Sequence, residues 1–151
     1  MGKLLDNIEL RVPSKAEYVS IVRAFVTDLA RRLGLSPSAI EDVQVAVSEA
    51  CANVVRHAYS EDEHESEVIV LCSVRDGRLL MEIADCGQGF CEPLIEPRST
   101  MDRDGGFGLV LIRNLMDNVS LDSSPEGGTV VRMSKKTARS RIRRSRIHGA
   151  L

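Results

Sequence analysis

Between Ile8 and Val12 apolar and polar residues alternate, the period of a half-buried strand, and Pro13 closes the run. The period then changes. Tyr18, Ile21, Val22, Phe25, Leu29 and Leu33 recur at helical spacing, and Gly34 stands where a C-cap belongs. Ser14-Lys15-Ala16-Glu17 reads as the capping box opening this helix. Ser36-Pro37 starts a second helix, with Ser38 and Glu41 as another capping box. Its buried stripe is Ile40, Val43, Val47, Ala50 and Val54, and it runs to about Ala58. The charged stretch Glu61 to Glu67 reads as a loop. Val68 to Val74 is a β-branched strand, Asp76-Gly77 a two-residue hairpin turn, and Leu79 to Ala84 the returning strand. Residues 85 to 106 are rich in Gly, Pro, Asp and Arg, and loops of that length in compact domains usually carry function or are disordered. Phe107 to Met116 is a third helix. Val119 and Leu121 mark a strand, Pro125-Glu126-Gly127-Gly128 a turn, and Thr129 to Met133 the last strand. The order β-α-α-β-β-α-β-β predicts an α+β fold. It is a two-layer sandwich with a mixed, mostly antiparallel sheet and its helices on one face.

Composition adds three constraints. At 151 residues and 43% hydrophobic the chain suits one domain, and with two Tyr, three Phe and no Trp its core must be aliphatic. No apolar run is long enough for a membrane helix, and the N-terminus has no signal-peptide pattern. Cys51, Cys72, Cys86 and Cys91 form no C-x-x-C pair and read as reduced thiols of a cytoplasmic protein. The net charge of −2 hides an asymmetry: from Lys135 onward there are two Lys, five Arg and no acid, so a −9 body carries a +7 tail. The expected division is a domain over residues 1–134 and a basic, disordered tail over 135–151. The acidic body has no interleaved aromatics, and nucleic acid is not an expected partner.

Three motifs carry chemistry. In Glu49-Ala-Cys-Ala-Asn53 the i, i+4 spacing puts both side chains on one helix face, and Arg56 continues it. An amide oxygen suits Mg²⁺, a guanidinium pairs with phosphate, and a carboxylate can take a proton. Taken alone, the trio also fits an ordinary helix surface. Asp85-Cys-Gly-Gln-Gly89 directly follows a strand. Its glycines let backbone approach a flat ligand, and its carboxylate can accept from an exocyclic amine; a common turn has the same pattern. Gly105-Gly106-Phe107-Gly108-Leu109 opens a helix, where free N–H groups attract phosphate, although no G-K-[ST] follows to make a P-loop.

Together, in this order and over Ile8 to Met133, the motifs resemble the GHKL ATPase superfamily, the Bergerat fold. Val47 to Tyr59, with the small size and the leading β-α segment, is most similar to the anti-sigma-factor serine kinases of the RsbW and SpoIIAB type. Sensor histidine kinases usually have Asn where Glu49 stands. The resemblance implies ATP and Mg²⁺ as cofactors. Asn53 would hold Mg²⁺, and Asp85 the adenine amino group with support from Thr129. Gly87 and Gly89 would shape the adenine pocket, and Gly106, Gly108 and Leu109 would meet the nucleotide from the lid. Arg56 and His57 would complete the ATP site, His57 equally serving to brace the helix end. Glu49 would be the catalytic base of a serine/threonine protein kinase. The implied partners are a STAS-domain anti-anti-sigma protein and a sigma factor, touched through Arg23, and a homodimer is implied. The alternative is a non-catalytic, ATP-binding partner-switching module. The lid between Gly89 and Gly105 is short, with Pro93 and Pro97, a departure in the segment where these kinases vary most.

Overall fold

The computed structural model describes residues 7–57, 66–85, 106–123 and 129–137. Their elements are β1 (Ile8–Pro13), α1 (Val19–Arg32), α2 (Pro37–His57), β2 (Glu67–Arg75), β3 (Arg78–Asp85), α3 (Gly106–Leu115), β4 (Asn118–Ser123) and β5 (Thr129–Lys136). The five strands form one sheet in the order β1-β2-β3-β5-β4, with every pairing antiparallel. The predicted α+β sandwich is thus present.

Register explains how one face becomes the core. Leu10, Val70, Ile83, Val131 and Leu121 face one another in a row across all five strands. Ile8, Cys72, Met81, Met133 and Val119 form the next row. α2 lies over β2, β3 and β5, with α1 and α3 packed on it. The buried side of α2, including Val43, Ala46, Val47, Ala50 and Val54, closes this aliphatic core. On the opposite face Arg132 bridges Glu82 and Asp122. Among the described residues no helix is long and apolar enough to cross a membrane.

Local signals place the element ends. α1 stops at a Schellman motif. Gly34 has φ 74°, its N–H donates to Arg31 O, and Leu35 N–H donates to Ala30 O. α2 opens on Ser36, whose Oγ accepts from Ala39 N–H at 3.1 Å, with Pro37 as its first residue. The cap is therefore Ser36 rather than Ser38. Asp76 and Gly77 both take positive φ, as a type I′ turn needs.

Two further expectations are corrected. Ser14 caps no helix: its N–H donates to Ser66 O, its Oγ is buried without a hydrogen-bond partner among the described residues, and a 3-10 turn (Ala16–Tyr18) precedes α1. The last strand also passes the expected boundary at 134. β5 continues to Lys136, and Thr137 donates to Gly77 O from its N–H and its hydroxyl at 2.8 and 2.9 Å. Lys135 and Lys136 are strand residues, not tail.

Candidate functional site

α2 is 21 residues long and carries Glu49 and Asn53 one turn apart on the side that meets α3. The contact is Gly108. A Cβ at that position would lie 3.1 Å from Asn53 Nδ2, 3.2 Å from Glu49 Oε2 and 3.4 Å from Asn53 Oδ1. Any side chain there would crowd both polar groups, so glycine lets α3 sit this closely without moving them. Asn53 is 8% exposed, and its Oδ1 has no hydrogen-bond partner among the described residues. Leaving such an atom unsatisfied costs roughly 1–3 kcal/mol. Glu49 beside it is half-buried.

Asp85 ends β3 on the helix-side face, in the alternation set by Leu79, Met81 and Ile83, and is buried opposite Val68. Thr129 opens β5 next to Val130, which pairs with Ala84. Its backbone thus starts beside the strand end that carries Asp85. Gly106 opens α3, and Leu109 is buried beneath it. Arg56 and His57 occupy the last turn of α2, and their side chains lie outside the described residues, as do Gly87, Gly89 and the lid. Arg23 stands exposed on α1. The structure thus brings Glu49, Asn53 and Gly108 together.

The far end of α3 is held by a residue whose charge suggests a basic tail. Lys135 Nζ donates to Asp42 Oδ2 of α2 at 2.9 Å and to the Leu115 carbonyl that ends α3. The available signal was the period-two continuation of Val131 and Met133, which points Lys135 toward the helices. Cys51 and Cys72 are buried free thiols, and burial pushes both up to about 12. They are protonated at neutral pH and inert as nucleophiles.

The fold and the polar cluster under α3 define the class, an ATPase domain of the histidine kinase type. The chain matches the histidine kinase-like ATPase domain family over residues 12–135. It is similar to the serine-protein kinase RsbW of Bacillus licheniformis, 38% identical over 152 residues covering 94% of this chain and 92% of the relative. RsbW of Bacillus velezensis is 40% identical over 144 residues, covering 89% of this chain and 88% of that one. RsbW of Bacillus subtilis is 39% identical over 139 residues, covering 86% and 85%. The chain belongs to the RsbW family of serine-protein kinases. Two solved structures share the fold. The RsbU and RsbW domains of a Mycobacterium tuberculosis protein align with a TM-score of 0.67 at 20% identity, over 88% of this chain and 33% of that one. The histidine kinase domain of a blue-light activated kinase from Erythrobacter litoralis aligns at 0.54 and 18%, over 87% and 64%.

Proposed function

We propose that this chain is an ATP-dependent serine/threonine protein kinase acting as an anti-sigma factor. It phosphorylates a STAS-domain anti-anti-sigma protein and sequesters a sigma factor, so that phosphorylation decides which partner is held. The observation that carries the nucleotide site is Asn53 Oδ1, buried without a hydrogen-bond partner among the described residues, beside Glu49 and under the glycine end of α3. A hard amide oxygen in that setting fits Mg²⁺, which is usually bound by one or two protein oxygens together with substrate phosphates. Asn53 would hold the ion. When bound, Mg²⁺ supplies charge neutralisation to the phosphates.

The remaining work falls to the chain's own groups. Asp85 accepts a hydrogen bond from the adenine amino group, with Thr129 beside it and Gly87 and Gly89 shaping the pocket. Gly106, Gly108 and Leu109 form the helix entry whose free N–H groups face phosphate. Arg56 pairs with phosphate oxygens, and His57 lines the same helix end. Glu49 takes the proton of the attacking hydroxyl. That oxygen bonds to the γ-phosphorus, the bond to the β-phosphate oxygen breaks, and ADP leaves. Such transfer needs mainly positioning and charge stabilisation. Glu49 beside Asn53 favours an enzyme over a module that only binds ATP, since a binder needs no base there.

The relatives' name supports the kinase reading. The STAS and sigma partners, a homodimer and a cytoplasmic location are part of the proposal and rest on family membership. Arg23, exposed on α1, is the proposed partner contact. Arg23→Ala should reduce capture of a cognate partner and spare ATP binding; unchanged capture would remove it from the surface. The direct test of function is transfer of label from γ-labelled ATP to a panel of STAS proteins. Label on a serine or threonine is expected, and its absence with every cognate protein would leave the binding module.

A further inference from the structure

α3 is fastened to α2 at two points. At one end Gly108 sits against Glu49 and Asn53. At the other, Lys135 reaches from β5 to the Leu115 carbonyl and to Asp42. Asp42 precedes Glu49 by seven residues along α2, and Gly108 precedes Leu115 by seven along α3. Each span is two helical turns, about 10 Å at 1.5 Å per residue. The antiparallel helices are therefore matched in length between their two contacts.

The Lys135 bridge is well placed to hold. Its side chain is 14% exposed and that of Asp42 31%, so salt screens the pair less than a surface pair. Charge-assisted hydrogen bonds are also stronger than neutral ones. The last carbonyls of a helix lack intrahelical partners, and their partial negative charge favours a cation. Lys135 meets both needs of α3 while tying it to α2.

We propose that Lys135 is a positioning residue for the nucleotide site: its ammonium fixes α3 against α2, keeping the glycine end of α3 seated on Glu49 and Asn53. The clamp stands on geometry, and its effect on nucleotide rests on the site reading above. Without the ammonium, α3 keeps its apolar anchors Leu109 and Ile112, with Met116 just past its end, but can rock about them and lift Gly108. The strand end that composition assigns to a basic tail thus becomes part of the frame of the site.

The test compares the full-length wild type with K135M, K135R and D42A. Three quantities are measured: Mg-ATP affinity by calorimetry, thermal unfolding without nucleotide, and amide hydrogen exchange over residues 108–111. At a temperature where the variant is fully folded, K135M should weaken Mg-ATP binding about tenfold and speed exchange in the first turns of α3. K135R should restore both, and D42A should fall between. A lysine serving stability alone would lower the melting temperature and leave affinity and exchange of the folded molecule unchanged. That result overturns the proposal. If the wild type binds no Mg-ATP, the site reading fails, and the exchange comparison still decides the clamp. If K135M does not fold, D42A decides: wild-type exchange and affinity in that variant refute the clamp.

Discussion

Gly108→Ala sets two effects against each other at one atom. The new methyl would lie 3.1 Å from Asn53 Nδ2 and 3.2 Å from Glu49 Oε2. Comfortable contacts of carbon lie near ~3.5–4.0 Å, so both neighbours must retreat by a few tenths of an ångström. Glu49 is half-buried and can swing aside, whereas Asn53 is 8% exposed and has little room. The crowding therefore falls on the Asn53 amide, at a cost of about 1–3 kcal/mol if the packing does not yield. In return, alanine in a helix gains up to about 1 kcal/mol over glycine. Unliganded stability should change little, moving the melting temperature by a few degrees in either direction. Affinity takes the displaced amide without that return. We expect Mg-ATP binding to weaken on the order of tenfold, or ~1.4 kcal/mol, with the loss concentrated in its Mg²⁺-dependent part. Calorimetry with and without Mg²⁺, beside a melting curve, measures both effects. A Gly108→Ala protein that binds Mg-ATP as the wild type does would refute the placement of the ligand under α3.

Asp85→Asn should weaken ATP binding and narrow the preference for ATP over GTP, since an amide presents a donor as well as an acceptor; competition binding with the two nucleotides checks this, and an unchanged preference would contradict it. A chain ending after Thr137 should unfold cooperatively near the wild-type temperature. A chain ending after Ser134 loses the Lys135 bridge and the two Thr137 bonds to Gly77, roughly 2–4 kcal/mol, and should melt several degrees lower; equal melting of the two would place the boundary at 134 after all. Cys51 and Cys72 stand at about 12 in the fold against 9.0 when exposed. Their folded values are the higher, so their contribution is fully present below pH 9 and lost as pH rises toward 12. Melting temperature should therefore fall more steeply above pH ~9 for the wild type than for C51A/C72A, and parallel curves would contradict this.

Elements whose signals are local were legible in the sequence. Asp76-Gly77 supplies the two positive φ angles of its turn, and Gly34 the one its helix end requires. The period-two runs of β2 and β3 fix which residues face the helices, because a slip of one residue would turn every side chain over. Signals that compete were less legible. Ser14 and Glu17 have the right spacing for a cap, yet the Ser14 N–H is spent on Ser66 and the helix begins later. Ser36 and Ser38 both suit a cap, and Pro37 as first residue selects Ser36. Charge masked β5: Lys135 and Lys136 look like the start of a basic tail, whereas continuing the alternation places Lys135 toward α2. In the site, the Glu49–Asn53 face follows from helix periodicity alone. Its meeting with Gly108 crosses more than fifty residues and has no local sequence pattern; the family resemblance supplied the association and the structure its geometry. The expectations for Gly87, Gly89 and the lid lie outside the described residues.

Glu49→Gln asks whether the carboxylate beside Asn53 is the base of a kinase. The substitution keeps shape and hydrogen-bonding capacity but cannot take a proton, and a positioned base typically contributes ~10²–10⁴-fold to rate. The measurement is single-turnover transfer from γ-labelled ATP to a cognate STAS protein, with Mg-ATP affinity determined in parallel. Wild-type affinity is expected, with a transfer rate lower by about that factor. Transfer at the wild-type rate by Glu49→Gln would show that the carboxylate beneath α3 is not the base.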